Sequence, residues 1–237
     1  MITQIYQKIK CLVKDYNEFQ EIIKKINIFF SDKMIAIVGS ASNILDKKNG
    51  KLIDSHDLIV RFNGAPVENY EQFTGKKTDV IVCTNIFLHN VDYDLMIREN
   101  KDPFFIKKQK NKILFIILEE NIEYIKKNIF NLVDKSNLVI FFDNRLNYIL
   151  RFHLISKYNI LKKILFSRYG SKLSSGLIFL SILDLLKLKF SYFGFDLNKN
   201  KGNIKYYYYS PKKEDHQHTA HDFTKENKFL LEIFERK

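Results

Sequence analysis

Three short stretches of this chain hold residue types that could do chemistry together: Gly39-Ser40-Ala41-Ser42-Asn43, Ser174-Ser175-Gly176, and a tail carrying His216, His218 and His221. The first follows an apolar run at 34–38. A glycine and small hydroxyl residues at the end of a buried strand let the backbone approach a ligand and offer N–H groups to a phosphate or ribose. The turn lacks the further glycines of a dinucleotide fingerprint and the Gly-Lys-Ser/Thr of a P-loop, so NAD and ATP sites are disfavoured. Ser174, Ser175 and Gly176 precede the apolar run 177–183. Free N–H groups at a helix start, backed by the helix dipole, favour an anion there. His221 could accept a proton, because an ordinary imidazole pKa of about 6.5 suits that role near neutrality. The three histidines are also close enough in sequence to suggest zinc. Two of them sit in a polar, charged loop without ordered support, so no metal is expected. In the run Tyr206-Tyr207-Tyr208-Tyr209, four neighbours cannot all face inward, so some phenols should line a cleft or meet solvent.

These residues need a frame that gathers them. Apolar runs at 34–38, 58–62, 80–83, 113–118, 138–142 and 190–195 alternate with helical stretches, the pattern of a mainly parallel sheet covered on both faces. The expected fold class is α/β, a single α/β/α sandwich. Within residues 2–30, Ile2, Ile5, Ile9, Leu12, Val13 and Tyr16 lead on to Phe19, Ile23 and Ile26 at spacings of mostly three or four, as an amphipathic helix requires. Residues 1–33 are thus read as a helix that packs on the domain or on a partner, and 34–237 as one domain. No repeat or Pro/Gly/Ser linker divides the chain, which has only 3 prolines and 8 glycines.

The formal charge of +12 concentrates anionic partners of any kind near the surface. The lysines are spread along the chain without an aromatic RNA-binding motif or a basic zipper, so no nucleic-acid partner is expected. The run Lys107, Lys108, Lys110, Lys112 reads as a solvated face. No apolar run approaches about 18 residues, so neither a membrane span nor a secretory segment is indicated. A cytoplasmic location is expected, with peripheral contact at the inner membrane face and oligomerisation left open. Two cysteines, Cys11 and Cys83, offer no disulfide framework or metal site and should be buried, inert thiols.

The stretch Ile53-Asp54-Ser55-His56-Asp57-Leu58-Ile59-Val60-Arg61-Phe62-Asn63-Gly64-Ala65-Pro66, followed by Tyr70-Glu71-Gln72-Phe73-Thr74-Gly75-Lys76-Lys77-Thr78, resembles the long sialyl motif of the animal-type sialyltransferase family. Its Arg-Phe-Asn-Gly-Ala-Pro segment is closest to the galactoside α2,6 branch. Leu173-Ser174-Ser175-Gly176 with Tyr192-Phe193-Gly194-Phe195-Asp196 resembles the short motif. The tyrosine run and His221-Asp222-Phe223-Thr224-Lys225-Glu226 are similar to the third motif and to the His-x4-Glu motif. All four stand in family order across residues 34–227. The cysteine pair that joins the long and short motifs in animal members is absent, with Ile35 and Lys187 near those positions, and Ser40 replaces the turn asparagine of many members.

The resemblance implies a Rossmann-like sheet, a variant of the GT-A-like arrangement, with a CMP-activated acidic sugar at the carboxyl ends of its strands. It implies metal-independent, inverting transfer of sialic acid from CMP-Neu5Ac to a hydroxyl, taken to be galactose, of an oligosaccharide or glycolipid. His221 would be the general base. Gly39, Ser40, Asn43, Asn63, Ser174, Ser175, Gly176, Tyr207 and Tyr208 would bind the CMP-sugar, while Asp57, Arg61 and Glu226 would hold turns and segments in place. A bacterial-like enzyme of lipooligosaccharide or capsule synthesis is the expected setting. CMP-Kdo remains an alternative donor, and a non-catalytic nucleotide-sugar or glycan-binding module an alternative of another class.

Overall fold

The computed structural model describes residues 2–84, 108–118, 133–157, 173–195, 208–209, 226 and 229–231. Each apolar run becomes a strand: β1 (Ile35–Val38), β2 (Leu58–Phe62), β3 (Val80–Thr84), β4 (Ile113–Leu118), β5 (Leu138–Asp143) and β6 (Phe190–Phe193). They form one sheet in the order β5-β4-β3-β2-β1-β6, and every neighbouring pair is parallel. Parallel strands are covered on both faces, which is why they read as continuous apolar runs instead of alternating ones.

Among the described residues, five helices accompany the sheet: α1 (Ile2–Phe30), α2 (Gly50–Asp54), α3 (Glu71–Thr74), α4 (Asn144–Lys157) and α5 (Ser175–Leu185), with a 3-10 turn at Ser42–Asp46. One face of the sheet, carrying Ile37, Phe62, Val82, Phe115 and Phe142, packs with α1, α4 and α5 into the main core. The other face, carrying Ala36, Val38 and Ile59, is covered by Ile44, Ile53 and the tyrosines Tyr208 and Tyr209. The result is the expected Rossmann-like α/β/α arrangement.

Helix α1 joins the main core through Phe19, Ile23, Ile26 and Phe30, spaced four, three and four apart so that they share one face. Arg145, at the start of α4, fixes it further by pairing with Asp15 at 2.6 Å and Glu18 at 3.2 Å on α1, and with Asp143 at 2.7 Å. Asp143 is itself buried, and its hydrogen bond raises the Arg145 pKa above the ordinary guanidinium value. The apolar periodicity nonetheless outruns the core, because Leu12, Val13 and Tyr16 are exposed.

Cys83 is buried as expected, and burial pushes its thiol up to about 12. Cys11 is exposed, which corrects the expectation of two buried thiols: it lies on the part of α1 beyond the packed face. Among the described residues, no helix is long and apolar enough to cross a membrane.

Replacing Ile26, fully buried, by alanine should cost about 2–5 kcal/mol of unfolding free energy, whereas Leu12→Ala should stay within about 0.5 kcal/mol. Denaturant melts of the two variants check this. Equal effects would show that α1 does not dock through its C-terminal half.

Candidate active site

Strands β1 to β5 step across the sheet in one direction, and β6 returns to the far side of β1. In an open parallel sheet such a reversal leaves a crevice at the carboxyl ends of the strands. The loops after β1 and β6 are clasped there. Gly39 donates its N–H to the Phe193 carbonyl at 2.8 Å, and Ala41 donates to Gly194 at 2.9 Å. A Cβ on Gly39 would stand 2.4 Å from the Gly194 oxygen, and one on Gly194 would stand 2.6 Å from the Gly39 oxygen. Gly194 also has φ +69°, a conformation that favours glycine.

Asn43 joins this clasp by donating from Nδ2 to the Phe195 carbonyl at 2.9 Å. Its Oδ1 is buried without a partner. Asn63, one residue past β2 with φ +50°, donates from Nδ2 to Ser175 Oγ at 3.1 Å, and its Oδ1 is likewise buried and unpaired. Asn43 follows β1 and Asn63 follows β2, its neighbour in the sheet, so these two unpaired oxygens belong to loops on adjacent strands, about one strand spacing of 4.8 Å apart.

The start of α5 completes the end of the crevice. Ser174 caps it, its Oγ accepting from the Leu177 N–H at 3.2 Å, while its own N–H donates to Glu226 Oε1 at 2.8 Å. Ser175 is held by Asn63. Gly176 has room for a methyl group: the nearest atoms to an added Cβ would be Ser174 Oγ at 3.9 Å and Phe62 Cε1 at 4.0 Å, ordinary van der Waals distances. Amides at a helix start favour an anion, and the asparagine oxygens beside them accept hydrogen bonds. A ligand carrying both a phosphate and hydroxyl or amino groups matches that combination.

Gly39, Ser40, Asn43, Asn63, Ser174, Ser175 and Gly176 are therefore brought to one edge of the sheet. Asp57 is not among them. It precedes β2 at the opposite edge and accepts the Met34 N–H at 2.8 Å. Arg61 is buried and spends its guanidinium on the turn after α3, with Nη2 donating to Thr74 O at 2.7 Å and Lys77 O at 2.9 Å, and Nε to Thr78 Oγ1 at 2.9 Å. Burial lowers its pKa from the ordinary value, a pull opposed by Tyr208, Asp54 and Asp79.

Tyr208 corrects an expectation. Its side chain is buried, as is that of Tyr209, and its hydroxyl donates to the Pro66 carbonyl at 2.5 Å instead of standing free for a phosphate. Burial raises its pKa above the ordinary phenol value. Its backbone N–H still reaches the site, donating to Ser40 O at 3.0 Å. Tyr207, His216, His218 and His221 lie outside the described residues.

Sequence reasoning did not assign Gly194 or Phe195 to the site, although a glycine ending an apolar run was the available signal. It also passed over Asp54, which accepts the Lys76 and Lys77 N–H groups at 2.9 Å and so steadies the turn that Arg61 binds.

The fold and the site together define a crevice edge at the carboxyl ends of a parallel α/β sheet, and comparison with known proteins gives the chain a family. Residues 4–237 match the model of glycosyltransferase family 29 (sialyltransferase), and the chain belongs to that family. A segment of 61 residues is 44% identical to beta-galactoside alpha-2,6-sialyltransferase 2 of Bos taurus, covering 26% of this chain and 12% of that protein. A segment of 73 residues is 42% identical to sialyltransferase-like protein 2 of Arabidopsis thaliana, covering 31% of this chain and 17% of that one. The matched segments thus span under a fifth of these relatives' length.

A solved mammalian sialyltransferase in complex with Gal-beta-1-3GalNAc-ortho-nitrophenol shares the fold, with a TM-score of 0.52 at 16% identity over 95% of this chain and 76% of that one. The expected bacterial-like setting, with lipooligosaccharide or capsule as acceptor, is overturned by the relatives, which are animal and plant proteins. The cytoplasmic location argued beside it finds no support in them.

Gly39→Ala should lose about 1–3 kcal/mol of stability through overlap with the Gly194 carbonyl, whereas Gly176→Ala, with space to spare, should melt within about 2 °C of the parent. Thermal and denaturant unfolding of both variants check the contrast.

Proposed function

We propose that this chain transfers sialic acid from CMP-Neu5Ac to an acceptor sugar hydroxyl, galactose in the first instance, with inversion and without a metal. The observation that carries the reading is the crevice edge itself. There, the start of α5 at Ser175 and two buried, unpaired asparagine oxygens lie at one edge of the sheet in a chain that belongs to the sialyltransferase family. Relatives named alpha-2,6-sialyltransferases support galactose as the first acceptor to try.

In this reading the leaving CMP phosphate is met by the α5 N-terminus. Fixed N–H dipoles stabilise charge that develops as the glycosidic bond breaks, and they need no reorganisation at that moment. The asparagine oxygens accept from ribose or cytosine donors. His221 takes the proton of the acceptor hydroxyl as that oxygen attacks the anomeric carbon from the face opposite the phosphate, which inverts the configuration.

The His-x4-Glu spacing has a physical basis in the Glu226 carboxylate. Bound to the Ser174 N–H and buried, it ties the C-terminal segment to the head of α5. His221 is five residues away, so covalent reach keeps its Cα within about 18 Å of that anchor.

His221→Ala should lower the transfer rate by about a hundredfold to ten-thousandfold, the range for losing a positioned base, with CMP affinity and melting temperature unchanged. His216→Ala and His218→Ala should lose far less. Transfer from CMP-Neu5Ac to a panel of galactosides, followed by mass spectrometry with and without EDTA, reads donor, acceptor and metal dependence together. Turnover of CMP-Kdo alone would move the donor, and activity lost to EDTA and restored by manganese would end the metal-free mechanism. Gly176→Leu should weaken CMP binding, because its side chain crowds the helix amides that Gly176→Ala leaves accessible; unchanged affinity in a variant that still melts cooperatively would place the phosphate elsewhere.

A further inference from the structure

The edge of the sheet opposite the candidate site has its own chemistry. Because every strand is parallel, the residues just before each strand share one edge. Five spacings of about 4.8 Å make that edge about 24 Å wide. Lysines mark it from end to end: Lys187 and Lys189 lead into β6, Lys33 into β1, Lys110 and Lys112 into β4, and Lys135 into β5, with Lys76 and Lys77 a few residues before β3. Seven of these eight are exposed and Lys112 is half-buried.

Acids are fewer on this edge and are drawn into the backbone. Asp57 accepts from Met34 N, Asp79 from Ile59 N at 2.9 Å, and Asp134 from Ser136 N at 2.9 Å. Asp54, four residues before β2, accepts the Lys76 and Lys77 N–H groups at 2.9 Å, and Asp32 is the fifth among the described residues within four of a strand start.

Apolar side chains stand out to solvent on the same edge. Ile28 and Phe29 in the last turn of α1 are 67% and 38% exposed, Met34 before β1 is 59% exposed, and Leu138 at the start of β5 is 41% exposed. Lysines at helix ends alone would be ordinary helix-dipole partners. Helix dipoles do not account for exposed isoleucine, phenylalanine and methionine placed between them.

We propose that this N-terminal edge of the sheet docks on an anionic lipid surface, with the lysines against the headgroups and Ile28, Phe29 and Met34 at the acyl boundary. Charge complementarity favours such a surface, since each lysine near an anionic bilayer contributes about fivefold to partitioning, and amphipathic contact adds to it. A nucleic acid would use the charge but gains little from exposed aliphatic side chains. Docked this way, the chain holds its crevice on the side away from the lipid.

The test is co-sedimentation of the full chain with vesicles of phosphatidylcholine alone and of phosphatidylcholine with phosphatidylglycerol at about 3:1. Binding should be at least about tenfold tighter to the anionic vesicles and should fall as salt rises. Lys33→Glu/Lys189→Glu should weaken it by about 25-fold or more. Lys47→Glu/Lys48→Glu, which makes the same change in net charge on another part of the surface, should alter it by less than about threefold. Met34→Ser/Ile28→Ser should lower it further at high salt, where charge is screened. If Lys33→Glu/Lys189→Glu perturbs melting, Lys110→Glu/Lys135→Glu reads the same edge. Equal losses from the two charge-reversed pairs, no preference for anionic vesicles, or tight binding to duplex RNA with none to vesicles would each overturn the proposal.

Discussion

The contact on which the site depends is the passage of two backbone turns past each other, the one after β1 and the one after β6. Where a side chain at Gly39 would begin, the carbonyl of Gly194 already stands, and the reverse holds for Gly194. Only glycine lets these loops close to hydrogen-bonding distance, and the closure has consequences beyond itself. It sets Phe195 where Asn43 can reach its carbonyl and orients the turn whose Ser40 oxygen receives Tyr208 N–H. The head of α5 is held beside it by Asn63 on Ser175 and Glu226 on Ser174, and α5 runs back from the crevice edge to deliver β6. The strand that is last among those described thus lies beside the first, and the helix feeding it arrives with its amides at the crevice.

The sheet was legible because parallel strands buried on both faces leave continuous apolar runs. Small departures have local causes. The run through Phe195 ends as strand at Phe193, since the chain at Gly194 turns into a positive φ. Helix α1 follows its periodicity over its full length, yet burial is seen only from Phe19 onward among its described side chains. Periodicity says that a helix has an apolar face; it does not say how far the partner surface extends. The two described tyrosines of the run both pack inward. Opposed facing of neighbours holds in a strand, but Tyr208 and Tyr209 lie in a turn, where consecutive side chains can both pack against the sheet.

Residue types at the site were also legible, whereas their division of labour was not. Ser174, Ser175 and Gly176 read as one anion-binding unit, yet the Ser174 hydroxyl accepts from Leu177 N–H, the Ser175 hydroxyl accepts from Asn63, and Gly176 alone has no side chain to commit. Which hydroxyl is committed depends on partners 112 residues away for Ser175, and no local pattern encodes that. Two further polar atoms without a partner, Asn147 Oδ1 and Arg151 Nε on α4, gave no sequence signal at all.

Charge is distributed against the simplest expectation for a protein that would bind an anionic nucleotide sugar. The described residues at the crevice edge, Gly39, Ser40, Asn43, Asn63 and Ser174 to Gly176, are all neutral. The nearby guanidinium of Arg61 is consumed by the carbonyls of the turn after α3, and the carboxylate of Glu226 by a backbone amide. Among the described residues, attraction for an anion at this edge comes from oriented dipoles, chiefly the N-terminal amides of α5. Dipoles fixed by a helix and its cap are already aligned before charge develops, whereas a lysine on a flexible stem must be ordered to act. Among the described residues, then, the crevice edge carries oriented dipoles, while the exposed cations stand on surfaces such as the far edge of the sheet.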